Sequence, residues 1–430
     1  MRRERGRSCH DSLGISGGLM AFAESCEAEI AGGFAEHDDI CARNQAKVLT
    51  AFRKNRVSES HFAWATGYGQ GDAGRDVTDR VFADVFGAET ALARPIITCG
   101  THALALVFQG ILRPGDELLY CTGLPYDSLH STIGLTGQGM GSLADFGITF
   151  RKVDLSPDGF IDMDAVREAV GPRTRMAAVQ RATGYEERRA LTMPEIASWA
   201  ASVKGVSHGI ITMADNCYGE FISDTEPTEN GVDIMAGSLI KNPGGGLALT
   251  GGYVCGRADL VEAVSYRMTC PGVGGDMGLM FGQTRTMLQG LFLAPQTVNG
   301  AVKGAMFCAA LFGKLGYHVS PGPLDGRSDI IETVRLGSPE AMEAFCEGVQ
   351  AAAPIDSFVT PVFEDMPEYE DPIIMAAGAF VQGSSIEMSA DGPRREPYNI
   401  YFQGGLSYEY SKLGVLMAAQ RLIDRGLLTI

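Results

Sequence analysis

The chain has 430 residues, 45% of them hydrophobic and 20% charged, and its 52 acidic against 35 basic side chains leave a net charge of −17. That length predicts two or three domains, and the composition supplies a sizeable core and excludes a disordered chain. The acidic balance argues against a nucleic-acid partner, which a basic face would serve, and no apolar run approaches the roughly 20 residues of a membrane helix.

An arginine-rich appendage, residues 1–19, opens the chain without the apolar stretch of a signal peptide. Hydrophobic spacing then predicts a helical arm over 20–52, and helical spacing resumes over 78–86. Strands follow over 93–99, 117–122, 147–153, 174–180, 210–214, 233–239 and 251–256, interleaved with helices over 101–112, 130–135, 162–170 and 193–204. That alternation predicts an α/β fold with a mostly parallel sheet wrapped by helices. Residues 260–312 read as mainly helical. Beyond Pro321-Gly-Pro323 the pattern loosens and closes on a helix over 413–428. The domain reading is a tail and arm over 1–65, a large domain over 66–314 and a small α+β domain over 315–430. The ten cysteines include no C-x-x-C pair and none at zinc spacing with histidine, so no metal is expected and reduced thiols in a cytoplasmic setting are.

Glycine is abundant, with 55 residues, and clusters in loops such as Gly67-Tyr-Gly-Gln-Gly and Gly244-Gly-Gly. Glycine serves where backbone turns sharply or a ligand comes close. The most informative stretch is 210–242. One strand stops at Asp215, and the next ends in Gly237-Ser-Leu-Ile-Lys241. In open α/β sheets ligands sit beyond the carboxyl ends of strands. An acid and a lysine at neighbouring strand ends are what pyridoxal phosphate requires: the amine forms a Schiff base, and the carboxylate keeps the ring nitrogen protonated. Either residue alone reads as half of a surface salt bridge. Gly100-Thr101, opening a helix after a strand, suits a phosphate on backbone N–H groups, or a plain N-cap. Ser238 is a second phosphate candidate, or a satisfied strand-end hydroxyl.

Asp215-Asn-Cys-Tyr-Gly-Glu-Phe221, Gly237-Ser-Leu-Ile-Lys-Asn-Pro-Gly-Gly-Gly246, Thr66-Gly-Tyr-Gly69, Gly100-Thr-His-Ala103, Arg113-Pro-Gly-Asp-Glu-Leu118 and Gln403-Gly-Gly405 together resemble the methionine gamma-lyase/aluminium-resistance protein family. The likeness runs from about Asn44 to the C-terminus. It implies the fold of the fold-type I pyridoxal-phosphate enzymes, with a large cofactor domain and a small C-terminal domain. It implies Lys241 as the Schiff-base lysine, Asp215 as the ring-nitrogen partner, and Gly100, Thr101 and Ser238 at the phosphate. Tyr126 matches the tyrosine that stacks on the ring and assists catalysis, or else packs a loop. Tyr68 and Arg75 match groups that reach the phosphate of a neighbouring subunit, which implies a homodimer or homotetramer with shared sites. Arg395, rather than Arg394, is the candidate for the substrate carboxylate, with Arg181 a further candidate. Gln70 stands where an aromatic residue is expected in the family, and Cys99 where serine is. The implied activity is a carbon–sulfur lyase acting on a sulfur amino acid by β- or γ-elimination. Its rivals are γ-replacement or transamination on the same cofactor, and a non-catalytic metal-tolerance protein.

Overall fold

The computed structural model describes residues 12–430 apart from Gln70, Gln138, Pro367, Glu368 and Glu370. Most of the appendage, residues 1–11, and the Gln70 departure therefore lie outside the described residues. One unit comprises Ile40–Pro295. The other joins the chain before Ile40 to Gln296–Ile430, so the division falls within two long helices.

Helix α1 (Gly17–Lys54) is the arm, followed by α2 (Ala73–Val85), whose Asp72 cap accepts from the N–H of Arg75. Next come β1 (Thr90–Arg94), α3 (Gly100–Ile111), β2 (Glu117–Tyr120), α4 (His130–Ile133), β3 (Thr149–Lys152), α5 (Met163–Ala169), β4 (Thr174–Gln180) and α6 (Met193–Val206). Then β5 (Ile211–Asp215), β6 (Ile234–Ser238), β7 (Gly252–Gly256), α7 (Ala258–Met268) and α8 (Thr284–Lys314) complete the run. Local chemistry sets the starts. Asp162 caps α5 by accepting from Ala165 N at 2.9 Å, and Thr192 with Glu195 forms a capping box on α6.

The seven-stranded sheet of this unit has the order β1-β7-β6-β5-β4-β2-β3. Strands β3, β2, β4, β5 and β6 run parallel. Strand β7 is antiparallel to both its neighbours, β1 and β6. Strands β2, β5, β6 and β7 are buried along their whole length, as befits a sheet covered on both faces. Leu104, Val107 and Phe108 of α3 pack with Leu118, Met176, Ile211, Met213 and Val254 from four strands, and each such side chain contributes about 1.5–3 kcal/mol. Two expectations shift. The strand expected over 93–99 ends at Arg94, because Pro95 has no N–H for the ladder and the chain turns before Cys99. The helix expected over 260–312 is broken between α7 and α8, where Gly272, Gly274 and Gly282 adopt positive φ.

In the other unit, β8 (His318–Ser320), β9 (Glu332–Arg335), β10 (Ile373–Ala376), β11 (Ser389–Pro393) and β12 (Asn399–Gln403) form an antiparallel sheet ordered β10-β11-β12-β9-β8. Helices α9 (Pro339–Ala352) and α10 (Tyr408–Asp424) cross at Gly348, where a Cβ would lie 2.4 Å from Ala418 Cα. Helix α10 starts earlier than the expected 413 because Ser407 caps it, accepting from Tyr410 N at 3.2 Å. Arg327 and Glu332, both wholly buried, pair at 2.6 Å.

Back in the sheet unit, the loop after β6 rests on α8 backbone to backbone. A Cβ at Gly290 would lie 2.1 Å from Gly244 O, and one at Gly245 would lie 2.4 Å from Gly290 O. Gly290→Ala is expected to cost about 1–3 kcal/mol by forcing these backbones apart. Gly205→Ala, in α6 with open space around it, is expected to stabilise by about 0.4–1 kcal/mol. Urea unfolding of the two variants beside the parent chain checks both signs.

Candidate active site

The parallel strands fan out in opposite directions from β2 and β4, the switch point at which an open sheet leaves a crevice at its carboxyl edge. Five of the predicted residues, Gly100, Thr101, Tyr126, Asp215 and Ser238, gather on that edge. Asp215 ends β5 and is 4% exposed, and its Oδ1 accepts from Cys217 N at 3.0 Å. Gln180, ending β4 beside Asp215 in the ladder, accepts from Tyr126 N at 2.8 Å. The ring of Tyr126 lies against Gly184, where a Cβ would sit 3.0 Å away, and 5.7 Å from the ring of Tyr185. Two residues on from Tyr126, Ser128 Oγ meets Thr101 Oγ1 at 2.6 Å. A Cβ at Gly100 would stand 3.3 Å from Ser238 Cβ and 3.4 Å from Cys217 Sγ. These contacts link Thr101, Tyr126, Asp215, Gly100 and Ser238.

Helix α3 aims its first turn into this group. The thiol of Cys99 caps it, accepting from His102 N at 3.4 Å, and Cys99 O accepts from Ala103 N at 3.0 Å. The first-turn N–H groups of Gly100 and Thr101 lie outside the helical ladder and favour an anion. Cys99 thus does the capping work expected of serine.

Lys241 follows β6, half-buried, with Nζ 4.1 Å from the centre of the Tyr218 ring. Burial works to remove its proton, but the acidic groups around it, from Cys217, Tyr218, Asp215 and Glu220, outweigh that and raise its pKa. Burial likewise pushes the Asp215 carboxyl up, against the pull of Lys241, the Cys217 contacts and Arg188. An amine and a carboxyl thus sit within electrostatic reach of each other.

The turn between β5 and Phe221 is strained. Tyr218 and Phe221 have φ of 67° and 65°, a region unfavourable for side chains with a Cβ. Glu226 holds the turn closed: its Oε1 accepts from Phe221 N at 2.8 Å and its Oε2 from Asn216 Nδ2 at 2.9 Å. Arg181 completes this network, donating to Asn216 Oδ1 at 2.9 Å and Ser223 Oγ at 3.1 Å, with Glu226 Oε2 at 3.4 Å. Gly219 makes room, since a Cβ there would lie 2.4 Å from Arg181 Cδ. Arg181, the further candidate for the substrate carboxylate, lies in this network. It is 0% exposed and its charge is met inside the protein, beneath the turn.

Arg75, the candidate for a neighbouring subunit's phosphate, lies at the start of α2. It is 2% exposed, and its guanidinium donates to Gly67 O at 3.2 Å and Gly69 O at 3.3 Å. It therefore shapes the loop that carries Tyr68, which is 69% exposed. Arg395 belongs to the other unit, exposed at the turn between β11 and β12, 3.4 Å from Asp371 Oδ2. Its neighbour Arg394 lies over the ring of Phe363 at 5.4 Å.

Four residues near the site escape sequence reasoning. Gln180 is recoverable from the same strand-end rule that found Asp215. Arg188 is not, because it reaches the β4 end from a loop, donating to Gln180 O at 3.1 Å and to Ala182 O. Tyr218 and Glu220 stand in the motif, but their orientation depends on a left-handed turn that no residue type announces.

The profile of the methionine gamma-lyase family matches residues 19–423. The chain belongs to that family. YnbB of Bacillus subtilis is 48% identical over 411 residues, 95% of this chain and 98% of YnbB. A crystal structure from Clostridium novyi, described as a carbon–sulfur lyase involved in aluminium resistance, superposes with a TM-score of 0.93 at 45% identity, covering 96% of this chain and 98% of that one. The pyridoxal-5′-phosphate-dependent protein YhfS of Escherichia coli, at 18% identity, shares the fold with a TM-score of 0.60 over 89% of this chain and 96% of its own. The fold is that of the fold-type I pyridoxal-phosphate enzymes.

Arg181→Met is expected to cost about 3–5 kcal/mol by leaving Glu226 buried without its cation. A fall in denaturation midpoint of that size checks the structural role. A variant of unchanged stability that only loses affinity for an amino acid would restore the binding role.

Proposed function

We propose that the chain is a pyridoxal-phosphate-dependent carbon–sulfur lyase that acts on a sulfur amino acid by β- or γ-elimination. The observation that carries the reading is the pairing of a buried carboxyl at one strand end, Asp215, with an amine after the next, Lys241, beside the N-terminus of α3. The site fits the cofactor. Gly100 leaves a space that a Cβ would fill against Ser238 and Cys217, and the donors at that space suit a phosphate. Gly100, Thr101 and Ser238 would hold the phosphate, Tyr126 would face the ring, Asp215 would pair with the ring nitrogen and Lys241 would bond the aldehyde. When bound, the cofactor supplies an electron sink for negative charge at the substrate Cα.

The chain's own residues then divide the work. Asp215 is buried and anchored by Cys217 N, so its charge is fixed in a low-dielectric site, where it acts strongly. Lys241 Nζ takes the proton from the substrate Cα, and in γ-elimination a second from Cβ. Tyr126 assists the departing sulfur with a proton. With one water consumed, the products are a thiol, ammonia and a 2-oxo acid. Arg395 is the proposed partner of the substrate carboxylate. Assembly as a homodimer or homotetramer is part of the proposal. It is supported by the exposure of Trp64 at 72%, Tyr68 at 69% and Phe281 at 53% on two loops that meet where Gly278 N donates to Gly67 O at 3.3 Å. The described cysteines are free thiols, which supports a cytoplasmic location.

The test is turnover. Methionine, cystathionine and cysteine are each supplied with pyridoxal phosphate, and 2-oxo acid, thiol and ammonia are measured. The parent chain is expected to release all three in equal amounts from at least one substrate. Lys241→Ala is expected to lose on the order of 10²–10⁴-fold or more in rate. Product that appears only when a second nucleophile is added would point to γ-replacement. An amino-group transfer without thiol release would point to transamination.

A further inference from the structure

Glu220 is 0% exposed, and nothing in the reaction proposed above uses it. Its Oε1 accepts from Tyr253 Oη at 2.6 Å, and its Oε2 has no hydrogen-bond partner. A bare buried carboxylate oxygen is costly unless the group keeps its proton. The surroundings are fitted to this side chain. Tyr253 is 0% exposed and stacks on Phe86 at 5.1 Å, which fixes its hydroxyl. Gly237 of β6 clears the space, since a Cβ there would lie 2.7 Å from the Tyr253 ring and 2.8 Å from Glu220 Oε1.

Two contacts tie this pocket to Lys241. Asn242, the next residue in the chain, donates from Nδ2 to Glu220 O at 3.0 Å, and its own Oδ1 is buried without a partner. Tyr218, two residues before Glu220 in the strained turn, presents its ring to Lys241 Nζ at 4.1 Å. We propose that Glu220 is a positioning residue for the amine of Lys241, acting through the proton it holds beside Tyr253. The inference rests on Lys241 as the cofactor lysine.

While Glu220 is neutral, Asp215 is the principal fixed anion near the lysine, and Glu220 offers an O–H donor in a pocket otherwise rich in bare acceptors. Once Glu220 ionises, a second carboxylate lies within electrostatic reach of Lys241 and holds the ammonium form, which cannot attack an aldehyde. Burial pushes the Glu220 carboxyl up to about 8. The hydrogen bond from Tyr253 and the charge of Lys241 pull it down, and Glu226 pushes it up. Cys217, whose buried thiol is held well above its ordinary value, is the other acidic group beside the lysine.

The consequence is a break in the usual pH dependence of an amine. A lysine's reaction with an aldehyde ordinarily accelerates about tenfold per pH unit below its pKa. Here the acceleration should stop at about pH 8, because each rise in free amine is cancelled by the growing anion. The test follows capture of pyridoxal phosphate by the cofactor-free full-length chain, read as visible absorbance between pH 6 and 10. The parent chain is expected to level off near pH 8, whereas Glu220→Gln continues to rise, so that the ratio of their rates grows above that pH. Tyr253→Phe removes a bond that favours the ionised form, so its break is expected above that of the parent. It serves as the second variant should Glu220→Gln not fold. Capture with the same pH profile in all three proteins overturns this inference alone. No capture by any of them overturns the cofactor reading and this inference with it.

Discussion

A charge buried away from water has to be met inside the protein, and in this molecule the meeting of Arg181 with Glu226 is what the site hangs on. The pair lies under the turn that joins Asp215 to Phe221, and both residues are almost wholly hidden. Glu226 spends its carboxylate on the N–H of Phe221 and the amide of Asn216 as well as on the guanidinium. Those bonds hold two residues, Tyr218 and Phe221, in a backbone region that costs about 1–3 kcal/mol each. The strain has a use. It turns Tyr218 towards Lys241 and buries Glu220 against Tyr253, while Asp215 stays anchored at the strand end. On the other side of Lys241, glycines 244 and 245 press on Gly290 of α8, so the lysine's loop is clamped as firmly as the turn opposite.

Much of this was legible from sequence, for an identifiable reason. Asp215, Lys241, Gly100 and Thr101 lie where apolar runs stop, and a strand end in an α/β pattern is a place where the sheet presents groups to a ligand. Ser238 follows from its spacing to Lys241. What was not legible depends on the direction of side chains and on backbone handedness. Arg181 stands just past a strand end, like Asp215, yet points inward because Gly219 leaves it room. Arg75 binds the carbonyls of the glycine-rich loop before it, a contact that spacing along the chain does not announce. The antiparallel placement of β7 escaped because hydrophobic alternation carries no sense of strand direction. The end of β1 moved for a plainer reason, the missing N–H of Pro95.

The electrostatics of the site and the overall charge of −17 belong to different scales. The surface charge is screened within about 8–10 Å at ordinary salt, whereas the groups around Lys241 act through protein. That is why a single proton on Glu220 matters to the lysine while dozens of surface carboxylates do not. Among the described residues, no helix is long and apolar enough to cross a membrane, and no three His, Cys, Asp or Glu side chains gather as a metal site. The chain's membership of the methionine gamma-lyase family extends over residues 19–423, which include all of the groups around Lys241.

The account stands or falls on Lys241 as the residue that bonds the cofactor. The direct measurement is to incubate the purified chain with pyridoxal phosphate, reduce it with borohydride, digest it and locate the pyridoxyl group by mass spectrometry. The account predicts one modification per chain, on Lys241, with the parent mass left unchanged in Lys241→Ala. A folded protein that carries no label, or carries it scattered over exposed lysines with Lys241 unmodified, would contradict it.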